Sequence, residues 1–79
     1  MSGTDVNKLV RMANQIALNF DYGAERAKTV AAVLDHLTRF WTLDMKRTIV
    51  AYAQGGGEGL SGIAAEAVAQ LAEKYGAAA

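Results

Sequence analysis

Apolar side chains recur at helical spacing along nearly the whole of this 79-residue chain. Over residues 5–20, Val6, Leu9, Val10, Ala13, Ile16, Ala17 and Phe20 follow the i, i+3, i+4, i+7 rule of an amphipathic helix. Thr4 or Asp5 can cap its first amides, and Asp21-Tyr22-Gly23 reads as the break. A second helix over 24–41 is expected to bury Ala27, Val30, Ala31, Leu34, Leu37 and Trp41. Its outer face carries Glu25, Lys28, Asp35 and Arg39, with Asp35 one turn before Arg39 in the favourable order. Thr42 has the chemistry of an N-cap for a third helix over 43–54, whose first turn holds Asp44 at the positive end of the dipole. The glycines of QGGGEG (54–59) end that helix by permitting left-handed backbone. A fourth, over 60–75, aligns Leu60, Ile63, Ala64, Ala67, Val68, Leu71 and Tyr75.

No segment alternates as a strand does, and proline is absent. The pattern therefore predicts an all-α fold, a compact bundle of four short helices. One helical domain spans 1–79, ordered over about 5–75 and frayed at 1–4 and 76–79. Helix pairing does not follow from this pattern.

Composition narrows what such a bundle can do. A chain this short buries only about 60% of the surface it exposes when unfolded. Cysteine is absent, so neither a disulfide nor a thiolate site assists. Stability has to come from packing or from a partner, which favours an accessory or oligomeric protein over an autonomous enzyme. Eight acidic residues balance eight basic ones, so no net field draws nucleic acid or a membrane surface. No apolar run approaches a membrane span, and MSGTDVNK lacks a signal-peptide core. A cytoplasmic location is expected.

Candidate chemistry is sparse. His36 is the only histidine, set on the shoulder of its helix between Phe40 and the exposed charges. A metal site or an acid–base pair would need a second ligand or a carboxylate at helical spacing, and the ordinary reading is a boundary histidine. Ser61 reads as a helix cap, and no serine has an orienting base, so no catalytic residue is assigned. GGGEG before a helix invites a phosphate-binding reading, yet it lacks the Lys-Ser/Thr pair of the P-loop and carries Glu58. Lys46 falls inside the apolar arc between Ile49 and Val50, against the binary pattern. It is either a snorkelling lysine or a contact to another subunit. Leu18 stands on the polar face of the first helix, while Met12 and Phe40 occupy apolar shoulders. Together they fit the edge of an interface.

Three segments in order, LVRMANQI (9–16), HLTRFWTLDMKR (36–47) and GGEGLSGIAAEAV (56–68), carry a family likeness. Their most specific parts are RMAN, RFW followed by Met45-Lys46-Arg47, and GGEGL. This order resembles the small delta subunit of cytosolic NAD-dependent formate dehydrogenases over about residues 6–68. The chain departs from that pattern at Thr42-Leu43-Asp44, where Asp-Pro and a basic residue are expected. Thr still caps and Leu is tolerated where Pro is merely favourable, but a positive charge is lost at Asp44.

The resemblance implies a non-catalytic accessory subunit of a molybdenum- or tungsten-containing complex. There the alpha subunit holds bis-molybdopterin guanine dinucleotide and iron–sulfur clusters, while beta and gamma pass electrons through flavin to NAD. It implies a role in assembly, cofactor insertion or stability of alpha, with a maturation chaperone as a further possible partner. Residues expected to face the partner are Arg11, Asn14, His36, Arg39, Phe40, Lys46, Arg47 and Leu60. Two alternatives stay open. Arg39, Lys46 and Arg47 with Gly57 and Gly59 could hold a guanine nucleotide or the cofactor's phosphates, or the bundle could be a homodimeric structural module.

Overall fold

The computed structural model describes residues 5–21, 23 and 25–75. Its elements in order are α1 (Val6–Asn19), α2 (Arg26–Phe40), α3 (Leu43–Gln54) and α4 (Gly62–Tyr75), with no strand among the described residues. The expected fraying at 1–4 and 76–79 lies outside them, as do Tyr22 and Ala24.

Three helix starts are fixed by side chains that accept from otherwise unpaired amides. Asp5 Oδ1 accepts from the Asn7 amide at 3.0 Å, so the cap of α1 is Asp5. Thr42 Oγ1 accepts from the Met45 amide at 3.2 Å and starts α3 where the sequence places it. Ser61 Oγ accepts from the Ala64 amide at 3.2 Å, which delays α4 to Gly62 and leaves Leu60 in the preceding turn. The α2 N-cap, Glu25, makes no such bond with its side chain.

α4 is the hub, packing against each of the other three helices. Its buried residues are small at two of four positions, Ala64 and Ala67 beside Val68 and Leu71, so neighbouring helices can approach closely. α1 also touches α2 and α3, whereas α2 and α3 meet mainly through the tight turn at Trp41-Thr42. One continuous core results. It joins Leu9 and Ala13 of α1, Val30, Val33 and Leu37 of α2, Trp41, and Ile49 and Val50 of α3 to the buried face of α4.

The α2 stripe differs from the sequence reading. Ala27 and Ala31 are exposed, Leu34 is half-buried, and Val33 and Thr29 are buried instead. Val30, Val33, Leu37 and Trp41 also make a helical face, rotated from the expected one. Burying valine removes more apolar area from water than burying alanine does, so the helix turns that way. On α1 and α4 the expected stripes are the buried or half-buried ones.

Candidate interaction surface

The turn between α2 and α3 gathers most of the singled-out residues at one corner. Trp41 ends α2 with extended backbone, its amide donating to the Leu37 carbonyl at 3.1 Å. Its indole is 5% exposed and belongs to the core. Phe40, one residue earlier, points the other way and is 69% exposed. The His36 ring lies 4.8 Å from the Phe40 ring and 5.8 Å from Phe20, the latter edge-on, so three rings form a row from the end of α1 to the end of α2. Leu43, the first residue of α3, is 48% exposed, and Arg47 follows one turn later on the same outer face. In the sequence Leu43 is only a helix start, and its exposure does not follow from the pattern.

Arg39 flanks Phe40 and is held by Asp35, Nε to Oδ1 at 3.1 Å. Both side chains are largely exposed, so this pair contributes little to stability but orients the guanidinium. Arg47 has no hydrogen bond or ion pair among the described residues.

Lys46, for which the sequence leaves both a snorkelling lysine and a subunit contact open, is turned inward. Its ammonium is buried, donating to the Thr38 carbonyl at 2.9 Å and the Tyr75 hydroxyl at 3.3 Å, 4.4 Å from the Tyr75 ring centroid. Thr38 lies in the last turn of α2, whose carbonyls have no intrahelical donor. A lysine of α3 thus caps α2, puts a cation at the negative end of its dipole, and closes onto α4. This explains a lysine inside an apolar arc.

Asn14 is also an internal contact. Its Nδ2 donates to the Gly59 carbonyl at 2.9 Å and its Oδ1 accepts from the Ser61 amide at 2.8 Å. The side chain clamps the loop before α4 onto α1. The loop itself needs left-handed backbone at Gly56, Gly57 and Gly59, and the Tyr52 hydroxyl donates to the Glu58 carbonyl. Gly57 and Leu60 border a mostly apolar groove of about 330 Å³ with Ala53, Ala65, Ala69 and Ala72. Arg11 lies apart from the corner, on the exposed face of α1.

The residues named for a phosphate site are not brought together. Lys46 lies in the first turn of α3 and the glycines follow its last, roughly 12 Å further along the axis. Its ammonium is engaged inside, and Arg39 is engaged by Asp35. They do not form a cradle for one diphosphate. Among the described residues no three His, Cys, Asp or Glu side chains are grouped to hold a metal ion, and no helix is long and apolar enough to cross a membrane.

Against known families, the pattern described as NADH-dependent formate dehydrogenase delta subunit FdsD matches residues 8–68. The chain belongs to this family. The match runs from the exposed face of α1, through the α2–α3 corner and the glycine loop, into α4. Comparison with curated proteins and with solved structures gave no significant match.

Proposed function

We infer that this chain is a non-catalytic accessory subunit that docks on the catalytic alpha subunit of a formate dehydrogenase. The observation that carries this reading is the delta-subunit match over residues 8–68. The α2–α3 corner supports it, because Phe40 and Leu43 expose apolar surface near the exposed Arg39 and Arg47, and phenylalanine and arginine are enriched at protein interfaces. Phe40 serves as the apolar anchor, His36 backs its ring, and the two arginines offer bidentate contacts to carboxylates. Trp41 and Lys46 keep that surface in shape from inside.

Docking favours the alpha conformation able to receive or retain its bis-molybdopterin guanine dinucleotide, in the cytoplasm and alongside any maturation chaperone. It can do so only to the extent that the chain binds that conformation more tightly than the others. In this reading the cofactor, whether molybdenum- or tungsten-loaded, stays with alpha. The test is to purify the complex with and without this chain and measure metal, pterin and formate oxidation. Lower loading without the chain, restored by wild type and not by Phe40→Ser with Arg47→Glu, is expected. Equal loading and activity in all preparations would remove the proposal.

A further inference from the structure

Charge is unevenly distributed over this electrically neutral chain. Arg26, Lys28 and Arg39 each face a carboxylate, and Lys46 is held inside. Lys8 and Arg11 of α1 have no hydrogen bond or ion pair among the described residues. α1 contains no acidic residue, so these are its only charges. Both are exposed, as is Gln15, whose amide donates to Asn19 Oδ1 at 3.2 Å. Turning about 100° per residue sets Lys8, Arg11, Gln15 and Leu18 within an arc of roughly 80°. Leu18 is 66% exposed on that arc. Leu18 ends this strip, roughly 10 Å along the axis from Arg11 and roughly 15 Å from Lys8. A leucine left in water on one strip with two cations that have no partner among the described residues has a use if a partner surface covers all three.

We propose that this face of α1 is a second docking surface, taken by an acidic protein surface of the formate dehydrogenase complex. Leu18 enters an apolar socket at one end of the contact, and Lys8 and Arg11 face carboxylates about two to three turns further along the strip. The inference rests on the reading that the chain is a docked subunit. Two cations and an apolar anchor on one strip suit a protein better than a polyanion, which calls for a longer basic array. Leu18 and Phe20 differ by roughly 200° about the helix axis, so this face points away from the aromatic row at the corner. The chain therefore has two contacts facing different ways, the arrangement of a piece held between two protein surfaces rather than a one-sided cap.

The test compares capture of the co-expressed complex by tagged full-length chain in four forms: wild type, Lys8→Glu with Arg11→Glu, Lys8→Arg with Arg11→Lys, and Leu18→Ser. Circular dichroism confirms that each is folded. Charge reversal is expected to weaken association about tenfold or more, and the charge-keeping swap to leave it within about twofold. Wild-type binding should weaken with salt, and Leu18→Ser should weaken it at any salt. If wild type captures the complex and the charge-reversed form captures it equally, this face is not a contact while the corner reading stands. If wild type captures nothing, both readings fall. A wild-type dimer by light scattering that the reversal abolishes would give the face to a second copy. Flotation with anionic phosphatidylserine vesicles that the reversal abolishes would give it to a membrane. Either result overturns the proposal.

Discussion

Trp41 and Lys46 show how differently two residues of one short stretch can be read. Trp41 continues the apolar stripe of its helix, so its burial follows from periodicity, and it is 5% exposed. Trp41→Ala should cost about 3–5 kcal/mol, a large share of what a small domain has, measured by urea unfolding with circular dichroism as the signal. Lys46 could not be read the same way. Its acceptors are a carbonyl eight residues earlier and a hydroxyl 29 residues later, and only tertiary packing brings them to one ammonium. The sequence signal was the misfit itself, a cation where the pattern calls for an apolar side chain. Lys46→Met keeps the stem and removes the donor, leaving the Thr38 carbonyl without that partner. A loss of about 1.5–3 kcal/mol is expected, the usual range for a hydrogen bond from a charged group. A variant as stable as wild type would show that water replaces the ammonium there. Asn14 belongs with Lys46, since its polar partners at Gly59 and Ser61 are even more distant along the chain.

Helix boundaries were legible wherever a local cap sets them. Asp5 and Thr42 sit next to the amides they satisfy, so residue type and position are enough. α4 starts at Gly62 rather than at 60 because Ser61, whose residue type already marks it as a cap, sets the boundary. The face of α2 differs because alanine and valine fit the same period with different apolar area. Glu25 is the weak cap of the set, with no side-chain bond to the first amides of α2. Its ion pair with Lys28 is 3.7 Å long and exposed, so little is lost by replacing it. Glu25→Asp should therefore raise stability by about 0.5–1 kcal/mol, read as a higher melting temperature. The loop after α3 works in the opposite direction. Gly57 has φ +64°, and a Cβ there would lie 3.4 Å from the Ala53 Cα. Gly57→Ala combines left-handed strain with a close contact, and a loss of about 1–2 kcal/mol is expected by thermal melting.

At the scale of the whole molecule, the arrangement around α4 separates what holds the bundle from what it presents. α4 touches every other helix, and Ala64 and Ala67 are fully buried on it, so small side chains set how near the others come. The four-helix class was legible because each helix carries its own stripe. The hub was not, because a stripe tells which face is covered and never by which neighbour. The residues that face outward, Phe40, Leu43 and Arg47 at the corner and Lys8, Arg11 and Leu18 on α1, lie off this framework. Substituting them should leave the core intact. Ala67→Leu tests that division from the inside. It adds volume where none is free, so the helices on α4 must move apart, at about 1–3 kcal/mol. Moving them shifts α2 and α3 relative to each other and distorts the corner where they meet. The expected result is a variant that remains helical by circular dichroism, melts lower, and captures the dehydrogenase less well although every outward-facing side chain is unchanged. Phe40→Ser should give the converse, weaker capture with little change in melting. If Ala67→Leu melts lower but binds as wild type does, the corner does not depend on the hub, and Phe40 and Leu43 act as separate contacts.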